Sequence, residues 1–165
     1  MKNIKEYNLD ELKQELISLG EKGYRAEQIF NWLYVEKVKS FDDMTNLSLE
    51  LREKLKQNYT MCNFEILSKQ ESSDGTKKYL FDVLDGNAIE TVLMQYHHGK
   101  TICVSSQIGC KMGCKFCAST GIAFVRGLTS GEIVEQILAV EQDIGEHISN
   151  IVFMGIGEPF DNYDN

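Results

Sequence analysis

The sequence predicts an α+β chain in which an N-terminal helical bundle and an antiparallel β-meander precede the start of an α/β unit. Three observations carry this. Apolar residues recur at helical spacing from residue 8 to about residue 60, three alternating runs parted by Asp-Gly turns follow, and after residue 100 the order becomes strand, loop, helix, strand. The changes of period set expected boundaries at 1–60, 61–99 and 100–165.

Taken in order, Asn8 with Glu11 three residues later forms a capping box, and Leu9, Leu12, Leu16 and Leu19 make an apolar stripe that Gly20 ends. Ala26, Ile29, Phe30 and Leu33 repeat the period with Trp32 and Tyr34 beside them. Leu47, Leu51 and Leu55 repeat it again, with Ser48 as N-cap. The aromatics read as core and rim packing. Phe64 to Lys69, Lys77 to Leu84 and Ala88 to Tyr96 then read as strands, separated by Asp74-Gly75 and Asp85-Gly86. Thr101 to Ser106 is a further strand. Thr129 and Glu132 cap a helix running to about Glu146, and Ile151 to Met154 is a short buried strand. Such a βαβ succession implies a parallel pair with its ligand site at the strands' C-terminal ends.

The 42% apolar and 25% charged content suits a globular protein, and the longest apolar runs are too short to span a bilayer. No signal peptide is visible at Met1 to Glu6, so a cytoplasmic protein is expected. A net charge of −8 weighs against a general affinity for nucleic acid, although Lys111, Lys115 and Arg126 gather beside a cysteine-rich loop and Lys77 and Lys78 are adjacent.

That loop, Cys110-Lys111-Met112-Gly113-Cys114-Lys115-Phe116-Cys117, carries the chemistry. It holds three of the chain's five cysteines in eight residues. Three thiolates fall one short of a closed zinc site or a fully protein-ligated cluster, so a 4Fe-4S cluster held here keeps one iron open to a ligand. Cys103 leaves an alternative, a four-cysteine zinc site, although it falls in a strand rather than a knuckle. Across the expected crevice, Gly155-Ile156-Gly157-Glu158-Pro159 offers glycines that admit close approach and a carboxylate able to receive an ammonium group. Glu90 shares a strand face with Ala88, Val92 and Met94; it is either a buried acid or base, or an edge residue facing water. Cys62 reads as a small buried hydrophobe, and His97 and His98 as solvated turn residues.

Cys-x3-Cys-x-Phe-Cys after one strand and Gly-Glu-Pro after the next resemble the radical S-adenosylmethionine enzymes. Asp74-Gly75-Thr76, Ile89-Glu90-Thr91-Val92, the run Cys103 to Cys110, Gly131-Glu132-Ile133-Val134 and Phe153 to Pro159 resemble, more narrowly, the RlmN family. The resemblance implies a partial barrel of radical S-adenosylmethionine type and methylation of adenine C2 in 23S rRNA and tRNA. Cys110, Cys114 and Cys117 would hold the 4Fe-4S cluster, Gly157 and Glu158 would contact S-adenosylmethionine, and Glu90 would accept the proton. Cys103 would pair in a disulfide with a methyl-carrying cysteine that the family has near its C-terminus. It further implies an electron donor such as flavodoxin and a monomer at full length. The chain departs from the family's usual pattern at Gly121-Ile122 and Arg126-Gly127-Leu128. Its length corresponds to the N-terminal portion, so this chain alone is expected to be inactive. The alternatives are a zinc-stabilised RNA-binding module without catalysis and an inactive remnant.

Overall fold

The computed structural model describes all 165 residues, which divide into two compact units, Met1–Asn63 and Phe64–Asn165. In the first, α1 (Leu9–Ser18), α2 (Arg25–Phe30) and α3 (Leu49–Asn58) surround a core of Leu12, Leu16, Ala26, Ile29, Leu33, Leu51 and Leu55. The Asn8 capping box is formed in both directions, with the Glu11 N–H donating to Asn8 Oδ1 and the Asn8 N–H to Glu11 Oε2, each at 2.9 Å. Gly20 takes the left-handed conformation that ends α1. After α2 the backbone widens into a π-turn over Asn31–Val35, and Phe30, Trp32 and Tyr34 pack against the core as its rim. A small feature has no periodic signal: β1 (Lys2–Asn3) runs parallel to β2 (Tyr59–Thr60), tying the two ends of this unit.

In the second unit one five-stranded sheet contains β3 (Glu65–Glu71), β4 (Lys77–Asp82), β5 (Ala88–Tyr96), β6 (Gly99–Cys103) and β9 (Asn150–Val152), in that spatial order. The first four are antiparallel and β6 pairs with β9 in parallel, so the sheet continues through residue 99 without a break. Both Asp-Gly separators turn as expected, with Gly75 and Gly86 at φ +84°. The strand expected at 101–106 ends at Cys103: the Val104 N–H makes the last ladder bond, to Val152 O, after which the Ser105 N–H goes to Gln136 and the Ser106 N–H to Ile156 as the chain bends away. The strand expected to be buried at 151–154 is instead an edge strand over 150–152 with Ile151 48% exposed, since nothing in the chain pairs beyond it.

One helix, α4 (Ser130–Ile144), covers one face of this sheet, and Gly145 at φ +67° terminates it. Tyr79, Phe81, Ile89, Thr91 and Leu93 are buried on the covered side. Polar ties fix the contact: Thr91 Oγ1 donates to Gln136 Oε1 at 2.8 Å and Tyr79 Oη to Asp143 Oδ2 at 2.7 Å. No helix is long and apolar enough to cross a membrane.

Candidate functional site

Between β6 and α4 the chain makes the cysteine loop. Its base is a two-residue ribbon in which β7 (Gln107–Ile108) pairs with β8 (Arg126–Gly127). Gly109 at φ +71° and Gly113 at φ +64° allow the backbone to reverse around Cys110. Cys110 is half-buried and Cys114 and Cys117 are exposed, and all three line one shallow cleft of about 20 Å³ with Gly113, Ser119 and Thr120. The Cys117 N–H donates to Cys114 O at 3.1 Å and the Cys110 N–H to Ile122 O at 3.3 Å, so backbone bonds set the loop.

Cys110, Cys114 and Cys117 match, in number and donor type, the three protein ligands of a cluster that keeps one iron open. No three His, Cys, Asp or Glu side chains are gathered as one metal ion would require. The four-cysteine zinc arrangement is not assembled. Cys103 lines a different cavity, a groove of about 900 Å³ on the open sheet face, with Val92, Met94, Thr101, Val152 and Met154. Burial pushes the Cys103 thiol up, partly offset by a backbone hydrogen bond at Met154. None of the five cysteines is in a disulfide.

Glu90 stands on that same open face, two residues from Val92, which pairs directly with Cys103. It is half-exposed and its Oε1 lies 3.1 Å from Lys78 Nζ, which decides between its two readings: the carboxylate faces solvent and a lysine, not an apolar core. Cys62 is half-buried rather than buried. His97 and His98 lie in the β5–β6 turn, with His98 stacked on Tyr96 at 5.2 Å.

The segment after β9 lies against the chain leaving β6. A Cβ on Gly155 would meet Val104 O at 2.7 Å, and one on Gly157 would meet Ser106 Oγ and Gln107 Cβ, each at 2.7 Å. Gly155 is therefore required first for close approach to the protein's own backbone, and Gly157 for close approach to the Ser106 and Gln107 side chains. Glu158 Oε1 accepts from the Phe160 N–H at 3.0 Å, capping the short 3₁₀ turn Pro159–Asn162, and the Glu158 N–H donates to Gln107 Oε1 at 3.0 Å. Gly157 and Glu158 are thus brought beside the root of the cysteine loop.

Several positioning side chains have no motif to announce them. Ser105, fully buried, donates through Oγ to Glu90 O at 2.6 Å and accepts from the Ile156 N–H at 3.1 Å, joining three segments of the site. Gln136 holds Ser105 by both its N–H and its C=O, each at 2.9 Å. The one available signal was a glutamine on the apolar stripe of α4. Arg126 bonds both Asp85 and Glu132, which hold its guanidinium charged and tie the loop's exit to the β4–β5 turn and the start of α4.

A family model described as the ribosomal RNA large subunit methyltransferase N-terminal domain matches residues 2–61. A Clostridium novyi protein named "Probable dual-specificity RNA methyltransferase RlmN" is 54% identical over 100% of this chain. The chain belongs to the RlmN family. A Bacillus velezensis RlmN of the same name is 50% identical over 98% of the chain. A solved structure, a radical SAM methyltransferase from Sphaerobacter thermophilus, covers 99% of the chain with a TM-score of 0.90 and 40% identity. The chain spans about half the length of these relatives: 48% and 46% of the two RlmN proteins and 49% of the solved one.

Proposed function

We propose that the chain is the N-terminal portion of a radical S-adenosylmethionine methyltransferase acting on C2 of adenine in 23S rRNA and tRNA. The observation that carries this is a trio of free cysteines around one open cleft whose loop is bonded, through Gln107, to the Gly157-Glu158 segment. Cys110, Cys114 and Cys117 would hold a 4Fe-4S cluster. When bound, that group supplies an open iron site and an electron for opening the sulfonium of S-adenosylmethionine.

The chain's own residues divide the remaining work by face. Glu158 presents a carboxylate with one oxygen committed to its cap, which leaves the other to receive the ammonium of the methionyl end. On the open sheet face, Cys103 is a thiol at neutral pH because burial raises it, so it is poorly suited to take a proton. Glu90, ion-paired with Lys78, is the better acceptor for a proton leaving adenine. The three boundaries, 1–60, 61–99 and 100–165, would then correspond to an RNA-side helical region, a meander and the opening of the barrel. A flavodoxin-like donor, a cytoplasmic setting and a monomer at full length complete this reading.

Anaerobic reconstitution followed by iron, sulfide and zinc analysis tests it. About four irons per chain are expected, and stoichiometric zinc without sulfide would refute the reading in favour of a zinc-stabilised module. The 165-residue chain alone is expected to form no 2-methyladenosine on RNA; its detection by mass spectrometry would overturn that part.

A further inference from the structure

Beyond the Gly-Glu-Pro segment the chain turns back on the cysteine loop at two points. Asn162 uses both amide hydrogens there: Nδ2 donates to Ser106 O at 2.9 Å and to Leu128 O at 2.8 Å. These are carbonyls of the limbs entering and leaving the loop, which also bond each other from the Leu128 N–H to Ser106 O at 3.0 Å. The orientation of the amide is set by Asn165, whose Nδ2 donates to Asn162 Oδ1 at 2.9 Å. One residue earlier, Asp161 Oδ2 accepts from Lys111 Nζ at 2.8 Å, between the first two cysteines, and from Gln107 Nε2 at 2.9 Å. Gln107 is only 1% exposed, and its Oε1 takes the Glu158 N–H.

We propose that Gln107, Asp161 and Asn162 are positioning residues that clasp the cysteine loop to the Gly-Glu-Pro loop, so that the two move as one body. A buried amide held at both ends transmits displacement, whereas a free loop absorbs it. Ser106 and Leu128 are 3% and 0% exposed, so losing Asn162 strips donors from carbonyls that water reaches poorly. The functional consequence rests on the reading above: whatever engages Glu158 would be felt at the cysteines, and the coupling is reciprocal. The geometry of the clasp does not depend on that reading.

The first test uses the iron-free chain. Asn162→Ala and Asn162→Asp, the second conserving size but not the donors, should speed hydrogen exchange at the Cys110, Val125 and Leu128 amides by about tenfold, the expected effect of losing two such bonds. Amides of α4 and β5 should keep their rates. Unchanged exchange in both variants, or a rise spread evenly through α4 and β5, would overturn the clasp. The second test follows iron release to a chelator after reconstitution. Lys111→Met and Asp161→Asn should each speed it by up to roughly fivefold, the scale of a half-exposed ion pair, with the double variant no faster than the singles. Additive effects in the double variant would refute coupling through this pair. Local exchange effects in a chain that binds no iron would keep the clasp and sink the cluster reading. A loaded cluster with parental exchange and release rates in every variant would do the reverse.

Discussion

Replacing Gln136 by leucine measures how far the cysteine loop depends on the helix behind the sheet. Gln136 is fully buried, and its amide accepts from Thr91 Oγ1 at 2.8 Å and the Ser105 N–H at 2.9 Å while donating to Ser105 O at 2.9 Å. Leucine keeps the volume but orphans both backbone groups of a residue that is 0% exposed, and a threonine hydroxyl that is 1% exposed. Each buried unsatisfied group costs about 1–3 kcal/mol; the hydroxyl can turn elsewhere, so the expected loss is about 3–5 kcal/mol out of a typical 5–15. The only tryptophan, Trp32, lies in the other unit, so far-UV circular dichroism in urea is the suitable probe. The midpoint should fall with the slope unchanged. Gln136→Glu sharpens the test. A carboxylate can accept as the amide does, but only its protonated form can donate to Ser105 O, so its folded pKa is raised above the unfolded value of about 4.3. Stability from a raised group is complete below the unfolded pKa and lost as pH rises through the folded one. The gap between Gln136→Glu and its parent should therefore be small near pH 4 and widen towards pH 7. A loss under about 1 kcal/mol for leucine, or a pH-independent gap for glutamate, would refute the reasoning.

Three other outcomes follow from single sites. Asp143 stays below the usual carboxylate range although burial opposes it, because Lys69 at 2.5 Å and Tyr79 at 2.7 Å bond the charged form. Its contribution is present above the unfolded pKa and lost as pH falls through the folded one, so Asp143→Asn should cost about 1–2 kcal/mol at pH 7 and flatten the acid limb of a urea-midpoint profile below about pH 4. Gly109→Ala should cripple iron retention, since its φ is +71° and its Cβ would strike Ala123 and Phe124, whereas Gly113→Ala at φ +64° meets open space and should cost only about 1–2 kcal/mol of strain. Thr129→Ala removes half of the α4 capping box, in which the Glu132 N–H donates to Thr129 Oγ1 at 3.3 Å, and thermal melting should report a loss of about 1 kcal/mol.

What was legible in the sequence is what is decided within a few residues. The capping boxes at Asn8 and Thr129, the turns at Gly75 and Gly86, and the extent of β5 over Ala88–Tyr96 all follow from spacing alone. The pairing of Lys2 with Tyr59 did not, because two-residue strands have no period to read. The early end of β6 was hidden for a related reason: Ser105 to Gln107 give their N–H groups to Gln136 and Ile156 rather than to the ladder, and no local pattern announces it. Spacing placed the three cysteines on one loop, and their common cleft followed. It left the environment of Glu90 open between two readings, since alternation tells which residues share a face but not which face α4 will cover.

That last point explains how the unit separates stability from chemistry. Strand alternation sends Ile89, Thr91 and Leu93 to the side closed by α4, and Glu90, Val92 and Met94 to the side left open. Because Val92 pairs with Cys103, the same alternation delivers Cys103 to the open side at the strand's last residue, where the backbone bends. The bend itself belongs to the closed side: Gln136 holds Ser105 from behind, and Ser105 Oγ ties Glu90 O to the Ile156 N–H. Shifting β5 by one residue against β6 would exchange the faces and bury Glu90 under α4. The register is therefore fixed by the apolar cost of exposing Ile89 and Leu93, and the placement of Glu90 and Cys103 on one accessible surface is set by that core rather than by any contact between the two.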